Sequence, residues 1–299
     1  MEKKRFIGLG FCGNDYLALL PEIPLDAKVR IERHLVQGGG PAATATVAAA
    51  RLGLEASFIG VVGDDDAGKC IVKELKAEGI DTSAMKVRSG ESSSIAYCWV
   101  DGRTGKRSIA WSHGSGKELG EDDIDYGLIR SAAILHLDGH NPKCALAAAK
   151  EARKCGVPVS LDAGTLRDGI AELLPYVTIL IASEAFARKF SGERRLENAL
   201  FRLKETGADV VGITMGKEGS MALDGEKVLR CPAFKIDAVD TTGAGDVFHG
   251  AFCVRYLETH EIGECLQFAS AVSALKCLQL GGRTGIPNRR QVEEFLEHN

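Results

Sequence analysis

Short apolar runs alternate with stretches of helical periodicity along most of this 299-residue chain, and no other feature limits its fold as strongly. "RFIGLGF", "ASFIGVVG", "AAILHLDG", "VPVSLDAG", "VTILIASE" and "DVVGITMG" each read as a short buried strand. Between them lie helices with recognisable ends. "GGGPAATATVAAARLG" (38 to 53) reads as a loop feeding a helix, with Pro41 at its first position and Gly53 just past its end. "DDDAGKCIVKELKAEG" is an acid-started helix stopped by Gly79. Strands apolar on both faces need cover on both, so the alternation predicts an α/β fold: a mostly parallel sheet flanked by helices on both faces.

Two segments break the rhythm. Residues 92 to 114 hold two β-rich runs around an Asp-Gly turn signal, which predicts an antiparallel hairpin. Residues 12 to 37 contain extended pieces and no convincing helix. Together they predict a small β-sheet outside the main one, acting as a lid. No repeat, low-complexity tract or linker divides the chain, so residues 1 to 299 are expected to form one domain with this lid.

Composition removes several classes of function. The net charge of −4 supplies no basic field for nucleic acid or an anionic membrane. No apolar stretch reaches the roughly 18 residues of a membrane span, and the amino-terminal apolar run is too short for a signal peptide. Nine cysteines without Cys-x-x-Cys spacing predict a reduced, cytoplasmic protein.

In open α/β sheets, ligands bind beyond the carboxyl ends of the strands. Asp15, Asp138, Asp162 and the 215 to 219 turn fall there. The strongest chemical signal is "DTTGAGDVFHGAF" (240 to 252). Gly243, Ala244 and Gly245 leave their amides uncovered just where a helix begins, which favours an anion. A carboxylate at Asp246 would repel that anion, unless its task is to take a proton from a hydroxyl attacking a phosphorus held by those amides. Read alone, the loop is better taken as an ordinary turn with Asp246 as an acidic residue in a first helical turn.

The whole string closely resembles the carboxyl-terminal signature of the ribokinase-like (PfkB) sugar kinases. "GGGPAATATVAAARLG" is similar to that family's sugar-binding glycine loop and helix, and "GDDDAG" (63 to 68) to its next recurrent segment. "TMGKEGS" (214 to 220) resembles the loop along the nucleotide, and "FASAVSALKCLQLGGRTGIP" (268 to 287) the closing adenine-side helix and loop. The resemblance implies a ribokinase-like fold and an ATP-dependent kinase that uses Mg2+ and phosphorylates a small sugar. It makes Asp246 the base, with Gly243, Ala244 and Gly245 as the anion hole. Asp15, Gly38, Gly39, Gly40, Asp138 and Asn141 become sugar-side residues. Arg107, Glu184, Thr214, Gly216 and Gly219 become nucleotide-side residues. Asp240 and Thr242 match residues that hold potassium in some members, although Gly285 stands where a side-chain ligand can occur.

The chain departs from the family at two places. Ala42, Ala43 and Thr44 replace the region of a usual asparagine, and "IASEAFA" (181 to 187) lacks the Asn-x-x-Glu spacing that organises magnesium, offering Glu184 instead. The glycine-loop and signature blocks are also similar to the sulfofructose kinase branch. Its sulfonate-binding arginine and asparagine are replaced near Gly139 and Trp111, so a ketose such as fructose, or ribose, is expected. A nucleoside kinase with an aromatic platform from Tyr97, Trp99 and Trp111 is the alternative, and a non-catalytic nucleotide or sugar sensor is another. His249 reads as helix packing. The aromatic lid predicts a homodimer joined through the lids.

Overall fold

The computed structural model describes residues 4 to 104 and 107 to 299; positions 1 to 3, and 105 and 106 within the expected hairpin, lie outside the described residues. The strands are, in chain order, β1 (Arg5–Leu9), β2 (Gly13–Leu20), β3 (Arg33–Gly39), β4 (Glu55–Ile59), β5 (Val61–Gly63), β6 (Lys86–Arg88) and β7 (Ile95–Asp101). They continue with β8 (Arg107–Ser112), β9 (Ile134–Leu137), β10 (Val159–Ala163), β11 (Ile179–Ser183), β12 (Val210–Thr214), β13 (Ser220–Asp224) and β14 (Lys227–Cys231).

Eight of them form the main sheet in the order β14-β13-β12-β11-β10-β9-β1-β4. The pairs from β12 through to β4 are parallel, and β13 and β14 add an antiparallel edge. Successive side chains of a strand face opposite layers. Phe6, Ile134, Ile179 and Ile181 accordingly pack into one core, with the helices Pro41–Arg51, Ala244–Thr259 and Ile262–Lys276. Ile7, Leu135, Leu161 and Leu180 pack into the other, with the helix Pro142–Lys154. Burying both faces explains why these strands read as continuous apolar runs.

The helix starts follow the residue chemistry. Pro41 occupies the first turn of its helix, where its missing N–H costs nothing. Asp65 caps Asp66–Ala77 by accepting from the Gly68 amide. The helices Pro41–Arg51 and Ala244–Thr259 approach so closely that a Cβ on Gly250 would lie 2.4 Å from the Ala45 carbonyl oxygen. That contact sets the start of the second helix at the carboxyl edge of the sheet.

The small sheet runs β3-β2-β7-β8, with β2 and β7 parallel and antiparallel pairs outside them. Its inner face carries Leu17, Cys98 and Val100, which pack with Leu280 from the main body. Residue register separates the lid aromatics. Tyr97 lies beside Tyr16 on the outer face, whereas Trp111 pairs with Ala96 on the inner one. Among the described residues no helix is long and apolar enough to cross a membrane.

Candidate active site

Strand order reverses between β1 and β9, and Asp138 joins the two sides of that switch point. Its Oδ2 accepts from the Phe11 amide at 2.8 Å and the Ala42 amide at 3.1 Å, and its Oδ1 from the His140 amide at 3.0 Å. Burial raises the Asp138 carboxyl, while His140 and these three amides pull it down. The side chain therefore fixes the end of β1 and the start of the Pro41 helix as well as lining a cavity.

The glycine loop packs against side chains where other residues would need Cβ atoms. A Cβ on Gly38 would meet Arg283 at 2.4 Å, and one on Gly39 the Asp15 carboxylate at 2.2 Å. Gly40 has φ 99°, and its Cβ would strike the Phe11 carbonyl oxygen at 2.4 Å. Asp15 is pushed up to about 6, by burial and by the charges of Glu74 and Asp240, against the lowering pull of Arg283. Arg283 is itself buried, donating to Thr44 Oγ1 at 3.2 Å and to the Gly39 carbonyl at 2.9 Å. Sequence reasoning missed it, because an arginine in a glycine-rich loop looks solvated.

Gly243 caps the helix Ala244–Thr259 in a left-handed conformation, φ 75°, with Gly282 packed against it. The Ala244 amide turns back to the Thr241 carbonyl at 3.2 Å. Among the described residues nothing accepts from the amides of Gly243, Gly245 and Asp246, and the space beside Gly245 is open. An anion fits there. Asp246 is pushed up to about 7 by burial and by the negative charges of Asp162, Asp138 and Asp15, against the opposing pull of His249. One turn on, His249 Nε2 lies 3.1 Å from Asp162 Oδ1. The histidine is buried in the packing, but it also faces the acidic cluster around Asp246.

Two cavities meet at this helix start. The larger, about 630 Å³, is lined by Thr214, Gly216, Gly219, Phe248 and Ala274 among others. The smaller, about 170 Å³, holds Asp138, Asp162, Arg167 and Asp246. Gly245 and Thr214 line both. Asn141 faces a third hollow of about 160 Å³, beside Phe11 and His140, and its Oδ1 accepts from the Leu119 amide. Arg107 reaches down from β8 to the loop before Gly243, donating to Thr241 Oγ1 at 2.8 Å.

Glu184 stands apart from this group. It lines neither of the two joined cavities and pairs with Arg188 at 2.8 Å, one helical turn on. Among the described residues no cluster of three or more His, Cys, Asp or Glu is arranged to hold a metal ion. Asp240 and Thr242 do meet, through the Thr242 amide and Asp240 Oδ1 at 2.8 Å.

A mostly parallel α/β sheet with a separate small sheet and a glycine-gated helix start between two cavities defines a phosphotransferase of the ribokinase fold. The pfkB family carbohydrate kinase profile matches residues 12 to 289, and the chain belongs to that family. It is a carbohydrate kinase. An ATP-dependent ribose-1-phosphate kinase of Halopiger xanaduensis is 32% identical over 93% of this chain and 92% of its own length. A putative ribokinase from Agrobacterium tumefaciens superposes with TM-score 0.92 at 29% identity, over 99% of this chain and 98% of that one. Arabidopsis thaliana ribokinase complexed with ribose and ATP superposes at 0.86 with 26% identity, over 99% of both chains.

Proposed function

We propose that this kinase transfers the γ-phosphoryl group of ATP to a hydroxyl of ribose or a ribose derivative. The observation that carries the reading is Gly245, which lines both cavities at the start of the Asp246 helix. The nucleotide occupies the larger cavity along Thr214, Gly216 and Gly219, and the sugar the smaller one beside Asp138 and Asp246, reaching towards Asp15 and the 38 to 40 glycines, which line neither cavity. Asp246 takes the proton of the acceptor hydroxyl, and the acceptor's oxygen forms a bond to the γ-phosphorus as the bond from that phosphorus to ADP breaks. The amides of Gly243, Gly245 and Asp246 hold the negative oxygens in transit. Mg2+ carried on the nucleotide's phosphates would supply charge neutralisation, which suits described residues that hold no ready-made group of three or more metal ligands.

Arg167 favours a phosphorylated acceptor as the second reading. It lines the smaller cavity, with its guanidinium in no hydrogen bond or ion pair among the described residues, and such a group suits phosphate oxygens. The Halopiger relative carries ribose 1-phosphate in its name. ATP consumption measured on ribose, ribose 1-phosphate, fructose and nucleosides decides between them. Turnover of nucleosides alone would overturn both.

The potassium expected at Asp240 and Thr242 fits less well, because Asp240's oxygens already accept N–H groups. A cytoplasmic setting belongs to the same proposal and is supported by nine free cysteines. So does a homodimer through the outer face of the small sheet, where Val36, Tyr97 and Trp99 are 43%, 46% and 40% exposed. Sedimentation at micromolar concentration tests it; an active species of 31.9 kDa would rule the dimer out.

A further inference from the structure

Lys276 ends the helix Ile262–Lys276, and it is fully buried, with 0% of its surface exposed. Lysine is almost never in that position without a partner for its charge. Its Nζ donates to the Asp240 carbonyl oxygen at 2.9 Å. Asp240 is 2% exposed, and its carboxylate joins two loops: Oδ1 accepts from the Thr242 amide and Oδ2 from the Gly281 amide, both at 2.8 Å. Every oxygen of Asp240 therefore already faces an N–H donor.

Hard cations are held by several oxygens turned towards them. Here those oxygens are turned towards nitrogen. The following loop closes the position further, since a Cβ on Gly285 would lie 2.4 Å from the Lys276 carbonyl oxygen. A ligating side chain has no room there. Thr242 Oγ1 is buried without a hydrogen-bond partner among the described residues, but a single free hydroxyl oxygen beside three occupied ones is too few for a bound alkali ion.

We propose that Lys276 is a tethered cation: its ammonium stands in, from within the chain, for the dissolved monovalent ion that would otherwise sit behind the Gly243–Asp246 turn. It is a positioning residue. It holds Asp240, Asp240 holds Thr242 and Gly281, and those fix the turn whose amides receive the phosphoryl group. Burial lowers the Lys276 ammonium, and the carboxylates of Asp240 and Asp246 oppose that by favouring its charged form. The carboxyl end of its own helix does the same. The inference rests on phosphoryl transfer at this turn, but not on which sugar is used.

The test compares wild type, Lys276→Met and Lys276→Ala in potassium chloride and in tetramethylammonium chloride, at equal ionic strength and magnesium. Melting temperature and turnover are both read. Wild type should melt and turn over alike in the two salts. Lys276→Met should lose at least about tenfold in kcat, as removal of fixed charge from such a site does. Lys276→Ala, which opens space for an ion, should gain melting temperature and part of its rate from potassium but not from tetramethylammonium. Potassium activation or stabilisation of wild type would overturn the proposal, as would a folded Lys276→Met with wild-type kcat in tetramethylammonium. If neither variant folds, the wild-type comparison alone decides, equal behaviour supporting the proposal. Absence of turnover in wild type would count against the kinase reading instead, while the melting temperatures still report on the cation.

Discussion

Arg107 Nη1 donates to the Thr241 hydroxyl at 2.8 Å, so a residue of the small sheet holds the loop that leads into the Asp246 helix. The bond couples the small sheet to the turn proposed as the anion hole. Its charge lies close enough to that turn to meet a phosphate arriving there.

Arg107→Ala should therefore leave stability within about 1 kcal/mol, as for other exposed polar pairs. It should lower kcat/KM for ATP by roughly ten- to a hundredfold, the usual worth of a charge-assisted hydrogen bond. Arg107→Lys should recover little, because an ammonium cannot reproduce the planar fork. Steady-state kinetics with a melting curve checks this, and a loss of stability without a kinetic effect would make the bond purely structural.

Asp246→Asn should cost roughly 10²–10⁴ in kcat, the range for loss of a general base. It should also stabilise the fold at high pH. The folded carboxyl titrates at about 7 instead of 3.8, so between those values the native state holds the proton more tightly than the unfolded chain. Native stability therefore falls as pH rises through that window. Asparagine has no such proton, and the variant's gain in melting temperature should be larger at pH 8 than at pH 5. An equal gain at both would show that burial does not strain this carboxylate.

The same titration should appear in catalysis. Only the deprotonated carboxylate accepts a proton, so kcat/KM for the acceptor should climb with pH and level off above about 7. A plateau already reached at pH 5 would place the base elsewhere or its acidity near normal.

Much of this arrangement was legible because its signals are local. Apolar runs from β1 and from β9 to β12, and Pro41 opening its helix, each encode their element within a few residues. "DTTGAGD" likewise carries its glycines, carboxylate and helix start in one string. The structure of the small sheet was partly legible: the aromatic residues pointed to strands, but only register puts Trp111 on the face opposite Tyr97. Arg283 and Lys276 were illegible. Their partners, Gly39 and Asp240, lie 244 and 36 positions away, and nothing beside them in the chain marks a buried charge. Glu184 is a different case. It sits at the right point in the sequence, but its helix geometry gives it Arg188 four residues on.

Gly39 and Asp15 supply the last prediction, since the absence of one side chain makes room for the other. A Cβ on Gly39 would lie 2.2 Å from Asp15 Oδ2 and 2.6 Å from its Cγ. The backbone of Gly39 is not left-handed, so alanine is acceptable to the chain and only the carboxylate must move. Gly39→Ala should fold with a loss of about 1–3 kcal/mol, typical of overpacking. If Asp15 binds the acceptor as proposed, its displacement should raise the acceptor KM by at least about tenfold, a loss of one to two good hydrogen bonds. KM for ATP should hardly change, because the larger cavity touches neither residue. A double-mutant cycle separates this from general damage. In an Asp15→Ala background the added methyl has nothing to displace, and Gly39→Ala should then cost the acceptor KM little more. Additive losses would mean that Gly39 serves the sugar through its own backbone and not by making room for Asp15.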